Sequence, residues 1–444
     1  MNSAEALEVK HNRSKDPNTH ASLRHSIRDG VAYSVMSGGG ETYLSAFTIF
    51  LNATAPQVAV VTSLPPLLGS LAQLLSAGIH KYLPRRVPLI VFAALVQAIV
   101  WPCIIFLPVI FSNYAVGLLI FFITIYHAAG NFIAPLWISL MGDIVPERKR
   151  GRYFSRRTRF ATLTSFIALV SAGVILHIFD LLHAAHIGFG ILFSIACIAR
   201  CVSAYHLSKM SDPARALEIE EKPNPKALWF RLRHSTAVRF SLFIILMQGS
   251  VAVAAPFFSV FMLRNLDFSY LQFMSITGVA VLFQFLTLNT WGRISDILGN
   301  RVILTVTGFV IPFLPVLWIP STNYIYLLVL QIASGFAWAG FSLSSSYFLY
   351  DMVPPQNRAA YIAFHNVGIA VACFLGAMAG IFILEFAPQL LAEPGSLWKF
   401  SQPLFVVFIF STLLRLLTAI VFIPLLKETK RIRKQMSTKE LVFR

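Results

Sequence analysis

Glu41 is the residue in this chain whose chemistry most needs explaining. It lies near the middle of an apolar stretch, residues 31 to 51. In a bilayer, a charged carboxylate at such depth costs about 2.5–3.5 kcal/mol on insertion scales, so it must face a cavity, a partner or both. Ser34, Ser37, Glu41, Ser45 and Thr48 follow 3, 4, 4 and 3 spacing and share one helical stripe, while Leu44, Phe47 and Phe50 fall largely elsewhere. Gly38, Gly39 and Gly40 would let another backbone or a ligand come close. A carboxyl on such a stripe can take up a proton or contact a solute, which makes Glu41, Ser37 and Ser45 candidates for a substrate or proton pathway. The competing reading is a carboxyl held by interhelical hydrogen bonds as packing glue.

Other polar residues inside apolar stretches extend the pathway candidates. His127 and Asn131 stand at i, i+4 in the fourth stretch, and Gln248 lies in the middle of the seventh. Gln331, Ser334, Trp338, Ser342 and Ser345 line the tenth. For each, the plain alternative is a satisfied hydrogen-bonding residue between helices. His365 and Asn366, near the end of the eleventh, rank below these. Arg200 and Arg415 stand 215 positions apart in the sixth and twelfth stretches, and that regular offset argues for structural roles. They are expected to reach towards head groups or to bind neighbouring carbonyls.

The elements that must position these residues are membrane helices. Hydrophobic residues make up 57% of the 444 and charged residues 12%, with a mean hydropathy of +0.70, more apolar surface than a water-soluble globule can hide. Twelve stretches are long enough to span: 31–51, 57–78, 88–110, 114–141, 159–178, 187–208, 237–262, 270–290, 302–319, 323–350, 361–385 and 402–426. The first has no small-residue cleavage site and reads as a retained helix. None alternates polar and apolar residues as barrel strands do.

The formal charge of +17 is a topology signal and excludes no more than it locates. Of 36 Lys and Arg, 32 fall in the termini and alternate loops on one side, while the opposite loops hold only Arg264 and Lys399. By the positive-inside rule both termini are cytoplasmic, and the basic excess can attract anionic lipid head groups; nucleic acid is not the expected partner. Cys197 and Cys201 share a helical face, but two soft ligands without a third make no metal site, and no cofactor is implied. No Gly-x-x-x-x-Gly-Lys loop, His-Glu-x-x-His or Gly-x-Ser-x-Gly supports ATP-driven transport or hydrolysis, so an enzyme is not expected.

A phrase recurs across the chain. Asp143-Ile144-Val145-Pro146-Glu147-Arg148-Lys149-Arg150-Gly151-Arg152-Tyr153 returns 208 positions later as Asp351-Met352-Val353-Pro354-Pro355-Gln356-Asn357-Arg358-Ala359-Ala360-Tyr361. Two similar halves are implied. Asp143 and Asp351 end helices where the dipole disfavours a negative charge, so each calls for a basic partner, with Arg150 and Arg358 the symmetric candidates. A polar stretch, 209–236, divides six spans from six, and the first 25 or so residues show no periodicity and are expected to be disordered.

Six plus six spans, the repeated Asp-x-Val-Pro phrase and the run Gly292-Arg293-Ile294-Ser295-Asp296-Ile297-Leu298-Gly299-Asn300-Arg301 together resemble the major facilitator superfamily, over residues 30 to 426. That run is similar to the family's Gly-x-x-x-Asp-x-x-Gly-x-Arg loop signature. Its first-half twin departs from the pattern: aligning Arg86 with Arg301 puts Lys81 at the Asp296 position and Pro84 at the Gly299 position. The intact copy has a readable purpose, with Asp296 accepting bonds at a helix end, Gly299 turning the chain and Arg301 supplying a cation. Asp143, Arg150, Asp296, Gly299, Arg301, Asp351 and Arg358 are therefore candidates for a conformational latch; anchoring of helix ends at the interface is the alternative.

The resemblance implies an all-α membrane protein of two six-helix pseudo-repeats: a cytoplasmic terminus 1–30, bundles 31–208 and 237–426, a central loop 209–236 and a tail 427–444. It implies a monomeric secondary carrier, symporter or antiporter, in a cytoplasmic (bacterial inner) membrane, whose partners are a small-molecule substrate, a proton and membrane lipids. Few fixed cations on the inner helices suit a neutral, cationic or large amphipathic solute, such as a drug, metabolite or siderophore-like chelate. A transporter-like receptor or lipid-interacting scaffold that moves nothing is the reading from another class.

Overall fold

The computed structural model describes residues 17–79, 85–145, 150–212, 236–352, 358–392 and 402–426, all helix or short connection with no strand among them. Two compact units divide the chain: residues 1–221 with 256–275, and residues 222–255 with 276–444.

The first unit begins with α1 (Pro17–Gly39), a 3₁₀ turn (Glu41–Tyr43) and α2 (Leu44–Phe50). Helix α1 starts well before the expected span, which corrects the expectation of disorder for residues 17–30. The reason is that its polar first turns have partners: Ser22, Ser26 and Asp29 are buried. The break after Gly39 follows from three consecutive glycines, each about 1 kcal/mol less favourable than alanine inside a helix. Thr42 Oγ1 donates to the carbonyl of Ser37 at 3.1 Å, and the hydroxyl of Tyr43 donates to the carbonyl of Leu169 at 2.8 Å, tying the break in place. Helices α3 (Ala55–Ile79), α4 (Val87–Ile110), α5 (Ala115–Ile144), α6 (Arg150–Leu181) and α7 (Ala185–Ser208) follow.

The other main helices are α8 (Thr236–Ala252), α9 (Ala255–Val260), α10 (Tyr270–Leu298), α11 (Asn300–Val310), α12 (Tyr324–Met352), α13 (Arg358–Ala392) and α14 (Pro403–Phe422). Pro312 and Pro315 lie where α11 gives way to 3₁₀ turns, as expected of residues without an N–H to donate. Among the described residues, ten helices are long and apolar enough to cross a membrane. The two expected spans missing from that set are the two broken ones, α1–α2 and α11 with its 3₁₀ turns.

The internal repeat is visible in the packing. Helix α1 packs on α6 and α7, and α8 packs in the same way on α13 and α14; α4 packs on α5, and α11 on α12. Helix α4 shows why these faces meet. Phe92, Ile99 and Phe106, spaced by seven, are exposed as a lipid-facing stripe, whereas Ala93, Ala94, Gln97, Trp101 and Ile104 are buried.

Candidate functional site

Glu41 occupies the break between α1 and α2, and that break aims it. A Cβ placed on the neighbouring Gly40 would lie 2.8 Å from Ala196 Cβ on α7 and 2.9 Å from the Trp101 ring on α4. The glycine therefore lets the broken helix press against both. The half-buried Glu41 accepts a hydrogen bond at Oε2 from the Tyr126 hydroxyl on α5 at 3.2 Å, and Ser37 also bonds its carboxylate. Arg200 on α7 is within electrostatic reach. Trp101 packs edge-on against Tyr126 at 5.4 Å between ring centroids, and Gln97 Nε2 donates to the Tyr126 carbonyl at 3.0 Å. Trp101 Nε1 and Gln97 Oε1 are buried polar atoms without a protein partner. The carboxyl thus sits in a pocket of polar groups inside the first unit.

The expected stripe is split by the same break. Ser37 stays with Glu41, but Ser45 begins the next helix, Thr48 is fully buried with its hydroxyl donated to the Leu44 carbonyl, and Ser34 donates to the Gly30 carbonyl. His127 and Asn131 lie together against α3 at Gly69, where an added Cβ would come within 2.6 Å of Asn131 Nδ2 and 3.0 Å of His127 Cβ. In the second unit Gln248, Gln331 and Trp338 are half-buried; Trp338 packs edge-on against Phe341 at 5.7 Å.

A second polar network lies on α1, before the break that carries Glu41. Arg157 Nη2 on α6 donates to Asp29 Oδ2 at 3.2 Å, and Ser203 Oγ donates to Asp29 Oδ1 at 2.7 Å. Arg200 Nη1 in turn donates to Ser203 Oγ at 2.7 Å, with Cζ 5.2 Å from the centroid of the Tyr33 ring. Arg200 is 2% exposed and does not reach out towards head groups. Its repeat partner Arg415 donates to Ser411 Oγ at 3.1 Å and to the carbonyls of Ile311 and Val251, both at 3.4 Å, which is the carbonyl-binding role expected. Sequence reasoning missed Asp29, Tyr126 and Arg157. Ser22, Ser26 and Asp29 follow 4 and 3 spacing on the buried face of α1, a continuation of its pattern into the polar terminus that was the available signal.

Of the latch candidates, Asp143 is engaged: Arg86 Nη1 donates to its Oδ2 at 2.6 Å and to Ser139 Oγ at 3.0 Å. Arg86 is thus a partner the sequence did not suggest. Gly299 has φ of 85°, so it does turn the chain as a glycine, and Ser295 Oγ bonds Asn300 Oδ1 at 2.6 Å across it. Asp296 and Arg301 are exposed and engaged with neighbours. The side chains of Arg150, Asp351 and Arg358 lie outside the described residues, as do Lys81, Pro84, Pro146 and Pro354.

Ten long apolar helices, a packing pattern repeated in the two halves and polar side chains held within the spans describe a multi-pass integral membrane protein. The sequence model described as Major Facilitator Superfamily matches residues 30–262 and again 240–442, and the chain belongs to that family. No curated protein matches the sequence. Among solved structures, the nucleoside transporter NupG aligns at 14% identity over 92% of this chain and 99% of its own, with a TM-score of 0.66. An auto-inhibited POT family peptide transporter aligns at 12% over 94% and 99%, TM-score 0.70. A bacterial homologue of the iron transporter ferroportin, in an inward-facing state, aligns at 13% over 91% and 98%, TM-score 0.64. At these identities the likeness is one of fold.

Proposed function

We propose that this protein is a proton-coupled secondary transporter that moves a small organic solute across a cytoplasmic membrane by alternating access, with both termini cytoplasmic. The observation that carries the reading is Glu41, an ionisable group at a helix break in the first span, bonded to Tyr126 and Ser37. Such a group can bind a proton in one state of a cycle and release it in another. Asp143 with Arg86, and Asp296, Gly299 and Arg301 in the second half, supply helix-end contacts suited to holding one state closed. Arg150, Asp351 and Arg358 belong to the same latch. The pathway is lined by Glu41, Ser37, Ser45, His127, Asn131, Gln248, Gln331 and Trp338. Both intramembrane arginines are occupied within their own units, which favours a neutral, cationic or amphipathic solute over phosphate or a dicarboxylate.

A thermal-shift screen of purified protein identifies the solute, since a ligand that binds the folded state raises its stability by mass action. In proteoliposomes loaded with that solute, Glu41→Gln abolishes accumulation against a gradient and leaves exchange or downhill flux. Proton-driven accumulation that survives the substitution unchanged removes the assignment.

A further inference from the structure

Helices α1 and α7 run antiparallel, because Gly40 meets Ala196, Tyr33 meets Arg200, Asp29 meets Ser203 and Ser22 meets Ser211. Ala196, which meets the residue before Glu41, stands one turn from Arg200 on α7, so Arg200 lies about one helical turn below Glu41, with its guanidinium at the level of Tyr33 and Ser203.

Arg200 lacks a full complement of charge where it sits. Its guanidinium stays protonated in any protein, and burial removes water as a counterweight. It donates to the neutral hydroxyl of Ser203, while its Nε is buried without a protein acceptor. The nearest lower carboxylate, Asp29, is reached only through Ser203 and is directly paired with Arg157. Asp29 and Arg157 cancel, which leaves Arg200 and Glu41 as the remaining cation and anion. The other groups facing them are Tyr33 on α1, Tyr126 on α5, and the neutral Trp101 and Gln97 on α4.

We propose that Arg200 is the counter-ion of Glu41, so that the cluster of Asp29, Arg157, Arg200 and Glu41 is neutral when Glu41 is ionised and carries one unbalanced positive charge when it is protonated. Arg200 is then a positioning residue that sets the pH at which Glu41 exchanges its proton. The transport meaning of this pair rests on the reading of Glu41 as the coupling site, but the pairing itself can be measured without any flux.

The test is thermal unfolding of the full-length protein in detergent across roughly pH 5–9, the range in which a perturbed carboxyl can titrate. The wild type shows a pH-dependent step that Glu41→Gln removes. Arg200→Gln moves the step to higher pH by about 1 unit or more, the size of effect an adjacent opposite charge exerts. Arg200→Lys moves it less, and Arg415→Gln, the same change at the repeat-related position, leaves it in place. At neutral pH the double variant Glu41→Gln with Arg200→Gln is more stable than Arg200→Gln alone, because both unpaired charges are gone. If Arg200→Gln fails to fold, recovery of folded protein in the double variant is the deciding measurement. A step unmoved by Arg200→Gln, no step that Glu41→Gln removes, or additive losses in the double variant overturn the proposal. A moved step with flux indifferent to Glu41 keeps the pair and removes the transport reading instead.

Discussion

Arg86 places one guanidinium nitrogen 2.6 Å from Asp143 Oδ2 and another 3.4 Å from Asp212 Oδ1, so a single cation, 2% exposed, joins the start of α4, the end of α5 and the segment after α7. The two carboxylates are not equivalent. Asp212, 9% exposed, also accepts from the backbone N–H groups of Arg86 (2.5 Å) and Val87 (2.8 Å), and so caps a helix that has no side-chain cap of its own. Asp143 is 45% exposed and makes the outer half of the contact.

Asp212→Ala should therefore cost more stability than Asp143→Ala. Losing a capping carboxylate costs about 0.5–2 kcal/mol, whereas a half-exposed ion pair contributes about 0–1 kcal/mol. Denaturant or thermal unfolding of the two variants side by side gives the ranking, and the reverse order would contradict the capping role.

Tyr126→Phe removes the hydroxyl that bonds Glu41 and leaves the ring packed edge-on against Trp101. A stability loss of about 1 kcal/mol is expected, typical of one buried hydrogen bond. In Glu41→Gln the same change should cost a different amount, because contacting residues are not additive. A double-mutant cycle with no coupling term would show that the bond is unimportant.

Gly38→Ala is expected to be among the most damaging single-methyl substitutions in the first unit. A Cβ there would overlap the carbonyl oxygen of Ser165, a backbone atom that cannot rotate away. Overpacking of this kind costs about 1–3 kcal/mol or more. Gly39→Ala, whose nearest such contact is 3.6 Å, is the control and should be mild. Equal melting temperatures for the two would disprove close packing of α1 on α6.

Gly299→Ala tests the turn before α11. With φ of 85° and ψ of 162° the residue occupies a region essentially reserved for glycine, and an L side chain there costs about 1–3 kcal/mol. Gly292→Ala, at the first glycine of the same loop signature and with open space around it, should be close to neutral. A thermal-shift comparison decides, and an unaffected Gly299→Ala would rule out the strained turn.

Much of this protein can be read from residue types alone. Glu41 stood out because the cost of a carboxyl inside an apolar span is large enough to outweigh any local context. The spans, the two-fold repeat and the glycine turn at Gly299 were legible for similar reasons: apolar length, repeated spacing and a backbone conformation only one residue tolerates. The three glycines before Glu41 signalled a close approach, but the helix break they allow was not foreseen, and it took Ser45 and Thr48 out of register with Ser37. The partners were the least legible. Asp29 meets Ser203 across 174 positions and Arg86 meets Asp143 across 57. Nothing local distinguishes Arg86 from Arg150 as the partner of Asp143, since a carboxylate satisfies its charge with whichever cation packing delivers. Periodicity specifies which face of a helix is polar; which neighbour that face meets depends on long-range packing of α1 on α6 and α7, a property of the folded bundle and not of any one segment.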